Sequence, residues 1–100
     1  MSTSIPLSKL HANLTGAGAC HKMYVGPTWE MAQTIGEKYN IMYTVRKTAL
    51  SADHLERKFI ASRCANLIID CCHREVMLDA EKEELQTLYP HHKLTFVLPD

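Results

Sequence analysis

Four side chains that could do chemistry follow directly after one apolar run in this 100-residue chain. The run lies within residues 66–69, of which Leu67, Ile68 and Ile69 are apolar, and Asp70, Cys71, Cys72 and His73 come next. A carboxylate, two thiols and an imidazole are the groups that proteins use for general acid–base chemistry, nucleophilic attack and metal ligation. Each of these roles needs groups from more than one segment. The strands and helices that position the four side chains therefore determine which role is possible.

A continuous apolar run of this length is typical of a strand that is buried on both faces of a parallel sheet. In α/β proteins, ligands bind in the crevice beyond the carboxyl ends of such strands. We therefore expect Asp70 and His73 to lie at the edge of the sheet where a ligand would bind.

A second segment supplies the other side of this crevice. Residues 21–25 form a β-type run that stops at Gly26-Pro27, and Thr28 is suited to cap the helix that follows. A strand that turns at glycine into a helix presents backbone N–H groups to an anion such as phosphate. The sequence thus predicts a ligand site at Gly26, Thr28, Asp70 and His73.

Strand and helix patterns alternate along the chain. The strand patterns are residues 21–25, 41–45, 64–70 and 94–98, and helices are expected to begin at Thr28, Ser51 and Asp79. Leu55, Phe59 and Ile60 would form the apolar stripe of the second helix. This alternation predicts an α/β fold: a small three-layer Rossmann-like or flavodoxin-like domain with about four parallel strands in the order 2-1-3-4 and flanking helices.

The first 19 residues are expected to form a separate N-terminal segment, and residues 20–100 a single α/β domain. Residues 1–4 are small and polar, which predicts a loosely held end. Leu7, Leu10 and Leu14 have the spacing of a short helix. In a four-strand sheet the last strand would be an edge, and residues 94–98 carry no charge, so this edge is expected to pair with a second copy.

The adjacent cysteines leave two chemical alternatives beside the ligand site. Structural zinc sites usually space two cysteines by two or four residues, whereas Cys71 and Cys72 in an extended chain point to opposite faces. The spacing therefore favours buried thiols and no metal site. A nucleophilic thiol is the second alternative, with His73 nearby and Arg46 across the crevice to lower its pKa.

Charge and composition limit the partners. Eleven basic and eleven acidic side chains give a formal net charge of zero. A nucleic-acid partner is disfavoured because nucleic-acid binding depends on an excess of Lys and Arg, and a neutral chain can self-associate. No run reaches the length of a membrane helix, and the cysteine pattern indicates reduced thiols in the cytoplasm.

Oppositely charged helix faces offer a possible interaction surface. The basic side chains belong to the helix after the second strand pattern, and the acidic ones to the helix that begins near Asp79. Such faces can dock a charged partner or assemble head to tail. The predicted interaction residues are Arg46, Arg57, Lys58, Arg63, Glu81 and Glu84.

Two segments, MYVGPT and LIIDCCH, resemble the nucleotide-binding strands of P-loop helicase motors, which have a RecA-like α/β domain. The resemblance implies a degenerate domain that does not hydrolyse nucleotide. Met31 and Ala32 stand where a Walker loop has glycine and lysine, and Cys71 stands where the activating glutamate would be. The run MYVGP is also similar to the opening of nucleoside deoxyribosyltransferases.

An incomplete catalytic set favours a non-catalytic protein. We expect a small regulatory or accessory interaction protein that binds a protein partner or itself, without a cofactor. The alternative is a nucleotide-binding or nucleoside-binding protein or enzyme that uses the crevice at the carboxyl ends of the strands.

Overall fold

Five parallel strands form one sheet in the computed structural model, which describes residues 2–15, 21–51, 54–72 and 79–99. The strands are β1 (Ser2–Pro6), β2 (Lys22–Gly26), β3 (Met42–Val45), β4 (Asn66–Asp70) and β5 (Lys93–Leu98). They lie side by side in the order β1-β5-β4-β2-β3, so β1 and β3 are the two edges.

Helices alternate with the strands, as the sequence predicts. A 3-10 turn at Leu7–Lys9 leads into the first helix. The helices are α1 (Leu10–Thr15), α2 (Trp29–Tyr39), α3 (Arg46–Ser51), α4 (His54–Arg63) and α5 (Asp79–Leu88). The predicted α/β class with a parallel sheet is therefore confirmed. None of the described helices is long and apolar enough to cross a membrane.

The sheet is buried on both faces. Successive residues of a strand point to opposite sides, so Leu67 and Ile69 of β4 join one apolar cluster and Ile68 joins the other. The first cluster packs the sheet against α3, α4 and α5, and the second packs it against α1 and α2. The helix residues that close the two clusters are Ala49, Ile60, Leu85 and, on the other face, Leu10, Leu14 and Ala32.

The strand count and strand order differ from the prediction, because the chain has a fifth strand, β1, at one edge of the sheet. The four predicted strands keep their predicted order relative to one another, as β3-β2-β4-β5. β1 pairs with β5 in parallel register, from Ser2 beside Leu94 to Pro6 beside Leu98. Residues 2–4, expected to be loosely held, are part of this strand. Backbone hydrogen bonds to β5 hold them, and such bonds leave no signature in side-chain pattern.

The presence of β1 also changes the edges of the sheet. β5 pairs with β1 on one side and with β4 on the other. The expected pairing of residues 94–98 with a second copy is therefore wrong, since both sides of β5 are occupied. The second edge is β3, as the predicted order required.

The helix expected after Ser51, which carries Leu55, Phe59 and Ile60, is α4. The sequence did not predict the additional helix α3 before it. α3 begins at Arg46, directly after β3, and Ser51 is its last residue. Residues 52–53 lie outside the described residues, and α4 follows at His54. Arg46 is a good helix former at a position where the strand pattern ends without a glycine or proline, so the sequence carries no strong start signal there.

Candidate functional site

The carboxyl ends of β2 and β4 are neighbours in the sheet. From β2 the chain goes outward to β3, and it then crosses back to β4 on the other side of β2. The strand order therefore reverses between β2 and β4, which is where ligands bind in open α/β sheets. Gly26 and Asp70 end these two strands, as predicted, whereas His73 lies outside the described residues.

Asp70 is fully buried at this position, and its two oxygens accept hydrogen bonds from the protein itself. The Tyr24 hydroxyl donates to Oδ2 at 2.5 Å. The backbone N–H of Cys72 donates to Oδ1 at 2.8 Å. Burial raises the pKa of Tyr24, and the hydrogen bond to Asp70 raises it further. The phenol is thus a neutral donor, and the pair ties β2 to the chain segment after β4.

Arg46 brings a positive charge to the same end of the sheet. It is 8% exposed and follows β3 directly. Its guanidinium opposes the rise in the pKa of both Tyr24 and Cys71, which places its charge within electrostatic reach of these two groups. Arg46 therefore does not belong to an exposed basic face.

The two adjacent thiols point to opposite faces of the sheet, as the sequence analysis expected. Cys71 packs in the cluster under α5, and Cys72 packs against the other cluster. The Cys72 thiol donates to the carbonyl of Val97 at 3.3 Å. Burial raises the pKa of Cys71, with Lys82 and Arg46 acting in the opposite direction. A raised pKa keeps a thiol protonated, which is the wrong direction for a nucleophile.

Gly26 and Thr28 are both engaged in starting α2. A Cβ on Gly26 would lie 2.9 Å from the backbone nitrogen of Ala32, so glycine allows the strand end to touch the helix. The Thr28 hydroxyl accepts from the Met31 N–H at 3.2 Å, which confirms the predicted cap. The backbone N–H of Ala32 donates to the Thr28 carbonyl at 3.0 Å. These contacts build the turn. They engage the N–H groups of Met31 and Ala32, so these two groups do not point at an anion in the predicted site.

No group of three potential metal ligands gathers among the residues that the structure describes. The described parts of the predicted ligand site, Gly26, Thr28 and Asp70, do lie at one end of the sheet. Each of them is engaged by neighbouring protein atoms there. The resemblance to P-loop motors stays a prediction.

The predicted interaction residues differ in exposure where the structure describes them. Lys58 and Glu84 are exposed, and Glu81 is half-buried. The negative charge of Glu81 adds to the rise in the pKa of Cys71, which follows the carboxyl end of β4. The side chains of Arg57 and Arg63 lie outside what the structure describes.

A different surface emerges at the edge strand β3. Three large apolar side chains are exposed in the described part of the chain: Trp29 (59%), Leu55 (75%) and Phe59 (55%). The Trp29 ring lies 5.5 Å from the ring of Tyr43 in β3. Leu55 and Phe59 line a cavity whose floor includes Met42 and Tyr43. We call these five residues (Trp29, Met42, Tyr43, Leu55 and Phe59) the β3-edge surface.

The cavity beside β3 has a volume of about 370 Å³. It lies between the sheet and α4, and Thr48 of α3 also lines it. None of its lining residues is charged. They are Met23, Met42, Tyr43, Thr44, Thr48, Leu55, Phe59 and Ile60.

Sequence reasoning did not predict this surface, because it assigned Leu55 and Phe59 to the apolar stripe of a helix. Leu55, Phe59 and Ile60 have helical spacing and were expected to face the sheet, but only Ile60 is buried. Trp29 has the spacing of a core position in α2 and is exposed as well. Helical periodicity shows which residues share a face, and it does not show whether that face is covered.

Comparison with known proteins finds no matching family model, curated protein or solved structure.

Proposed function

We propose that this chain is a non-catalytic interaction module that binds a polypeptide, either a protein partner or a second copy of itself, through the β3-edge surface. One observation carries the proposal: the exposed large apolar side chains of the described chain all gather around a single open strand edge. Scattered exposed apolar side chains are ordinary, whereas Leu55 and Phe59 together line one apolar cavity beside this edge, and grouped apolar side chains mark an interaction site.

An edge strand adds directional recognition to this apolar group. Among the described residues, β3 pairs only with β2, so its other side offers backbone donors and acceptors to an incoming strand. Peptides that bind by strand addition obtain affinity from main-chain hydrogen bonds and specificity from pockets for alternate side chains. Met42 and Thr44 are two residues apart on the same face, and both line the cavity.

The lining suits polypeptide side chains better than a charged small molecule. It offers no charged group to a phosphate or carboxylate. Met23 and Met42 are flexible and polarizable, and methionines of this kind adapt to differently shaped apolar side chains. We infer that apolar residues of the partner occupy the cavity.

The alternative, a nucleotide or nucleoside site at the crevice, has less support. Its acidic residue, Asp70, is fully buried and already accepts from Tyr24 and from the N–H of Cys72. Gly26 is in contact with Ala32. These contacts favour a structural role for the carboxyl edge of the sheet.

The proposal is tested by selection from a displayed library of random 12-residue peptides, with the whole chain immobilised at low density. Enriched peptides are then measured against the wild type, Phe59→Lys and a matched control, Thr87→Lys. Thr87 is exposed on α5, so this variant adds the same charge to a helix away from β3. We expect the selected peptides to be apolar and to bind the wild type and the control equally. Their affinity for Phe59→Lys should be at least about 10-fold weaker.

Peptides that bind all three proteins equally would contradict the assignment of the surface. If no peptide is enriched, the proposal rests on self-association alone, which is measured separately below. A chain that neither selects peptides nor self-associates through β3 would overturn it.

A further inference from the structure

The β3-edge surface has the properties of a self-complementary interface. Resting on the proposed function, we propose that its occupant is a second copy of this chain. The two β3 strands pair antiparallel about a two-fold axis perpendicular to the sheet, and one sheet then runs through both copies. This arrangement is the commonest closed symmetry, in which the same patch serves on both subunits.

The two edge strands differ in polarity, and only β3 has the apolar surroundings that favour pairing with a second copy. β1 is polar and ends at Pro6, which has no N–H to donate, and its Thr3 and Ser4 are exposed. β3 is flanked by Trp29 on one face and by Leu55 and Phe59 on the other. Polar residues and proline protect an edge from pairing, whereas apolar flanks favour it.

Charge does not oppose self-pairing. In a two-fold interface each patch meets its own copy, so a charged patch would meet like charge. The cavity lining is uncharged, and the chain has a formal net charge of zero.

The two-fold axis also explains the position of the exposed side chains. With the axis perpendicular to the sheet, α4 of one copy lies beside α4 of the other, and α2 lies beside α2. Leu55 and Phe59 then pack across the axis on one face, and Trp29 does so on the opposite face. The cavity beside Met42 receives apolar atoms from the second copy.

The exposed apolar side chains supply part of the area that a dimer interface requires. From their exposed fractions, Trp29, Leu55 and Phe59 together expose roughly 400 Å². This is about half of the roughly 800 Å² that each partner contributes to a standard interface. The open side of β3 and the other residues that line the cavity supply further area.

Sedimentation equilibrium of the whole chain over a wide concentration range tests the pairing. We expect a reversible monomer–dimer equilibrium, weakened about 100-fold or more by Phe59→Lys, because each dimer loses the contact twice. Leu55→Lys is the second variant, and circular dichroism melting verifies that both fold. Thr3→Lys, which places the same charge on the β1 edge, is expected to dimerise like the wild type.

Hydrogen exchange of the backbone identifies the strand that pairs. Amides of residues 42–45 are expected to exchange more slowly at concentrations where the dimer forms, while residues 2–6 remain unchanged. Protection at residues 2–6 instead, or a dimer that Phe59→Lys and Leu55→Lys leave intact, would overturn the inference.

The outcomes also separate this inference from the proposed function. A strict monomer that still binds selected peptides in a Phe59-dependent manner refutes self-pairing and leaves the interaction module standing. A monomer that selects no peptide refutes both.

Discussion

Replacing Gly36 by alanine should destabilise the protein, although glycine is normally the poorer residue within a helix. Gly36 lies in α2 and faces Tyr43 of β3. A Cβ at this position would overlap Cδ1 of Tyr43 and would lie 2.6 Å from Cγ and 2.8 Å from Cβ of the same side chain. The last of these atoms is fixed to the backbone, so rotation of the ring alone cannot relieve the overlap.

Two opposing effects set the magnitude. Alanine is favoured over glycine in a helix by about 1 kcal/mol. Overpacking costs about 1–3 kcal/mol and occasionally more, and overlap with three atoms of Tyr43 belongs at the upper end of that range. We therefore expect Gly36→Ala to lower the free energy of unfolding by about 1–2 kcal/mol.

Urea denaturation measures this change as a lower midpoint with an unaltered slope. Thr34→Ala is the matched control, because Thr34 is exposed in the same helix and gains helix propensity without a clash, by about 0.5 kcal/mol. In a chain that carries Tyr43→Ala, the ring is absent and Gly36→Ala should cost at least about 1 kcal/mol less. A Gly36→Ala variant as stable as the wild type would refute the close packing of α2 on the edge strand.

Three further substitutions test other contacts. Tyr24→Phe removes the hydroxyl that donates to the buried Asp70. It should lower the free energy of unfolding, measured with denaturant, by about 1.5–3 kcal/mol. A loss below about 0.5 kcal/mol would contradict this hydrogen bond. Thr28→Ala removes the cap on the Met31 N–H and should cost about 1 kcal/mol, whereas Thr28→Ser should restore most of the stability. Burial raises the pKa of Cys64 to about 11 from an ordinary value near 9. Because the folded pKa is the higher one, the stabilisation is complete below pH 9 and is lost as pH rises through about 11. Stability should therefore fall by up to about 3 kcal/mol over this range, and Cys64→Ala should show a shallower decline; identical pH profiles would refute the assignment.

The sequence by itself determined the alternation of strands and helices and the parallel sheet. Period-two and continuous apolar runs, interrupted by turn residues, locate four of the strands because burial of side chains leaves its pattern in the sequence. The cap at Thr28 was predictable for the same local reason, since a hydroxyl in the residue before a helix satisfies a nearby N–H. The placement of Gly26 and Asp70 at one end of the sheet follows from parallel topology.

Only the tertiary structure decided which surfaces are covered. β1 is held by backbone pairing to β5, and a backbone hydrogen bond has no side-chain code. The bond between Tyr24 and Asp70 joins residues 46 positions apart, and no local pattern relates them. Leu55 and Phe59 have the spacing of a core stripe, yet they are exposed beside β3. A local pattern states which side chains share a face, whereas the relative position of the helix and the sheet determines whether that face lies against protein or is exposed for a partner.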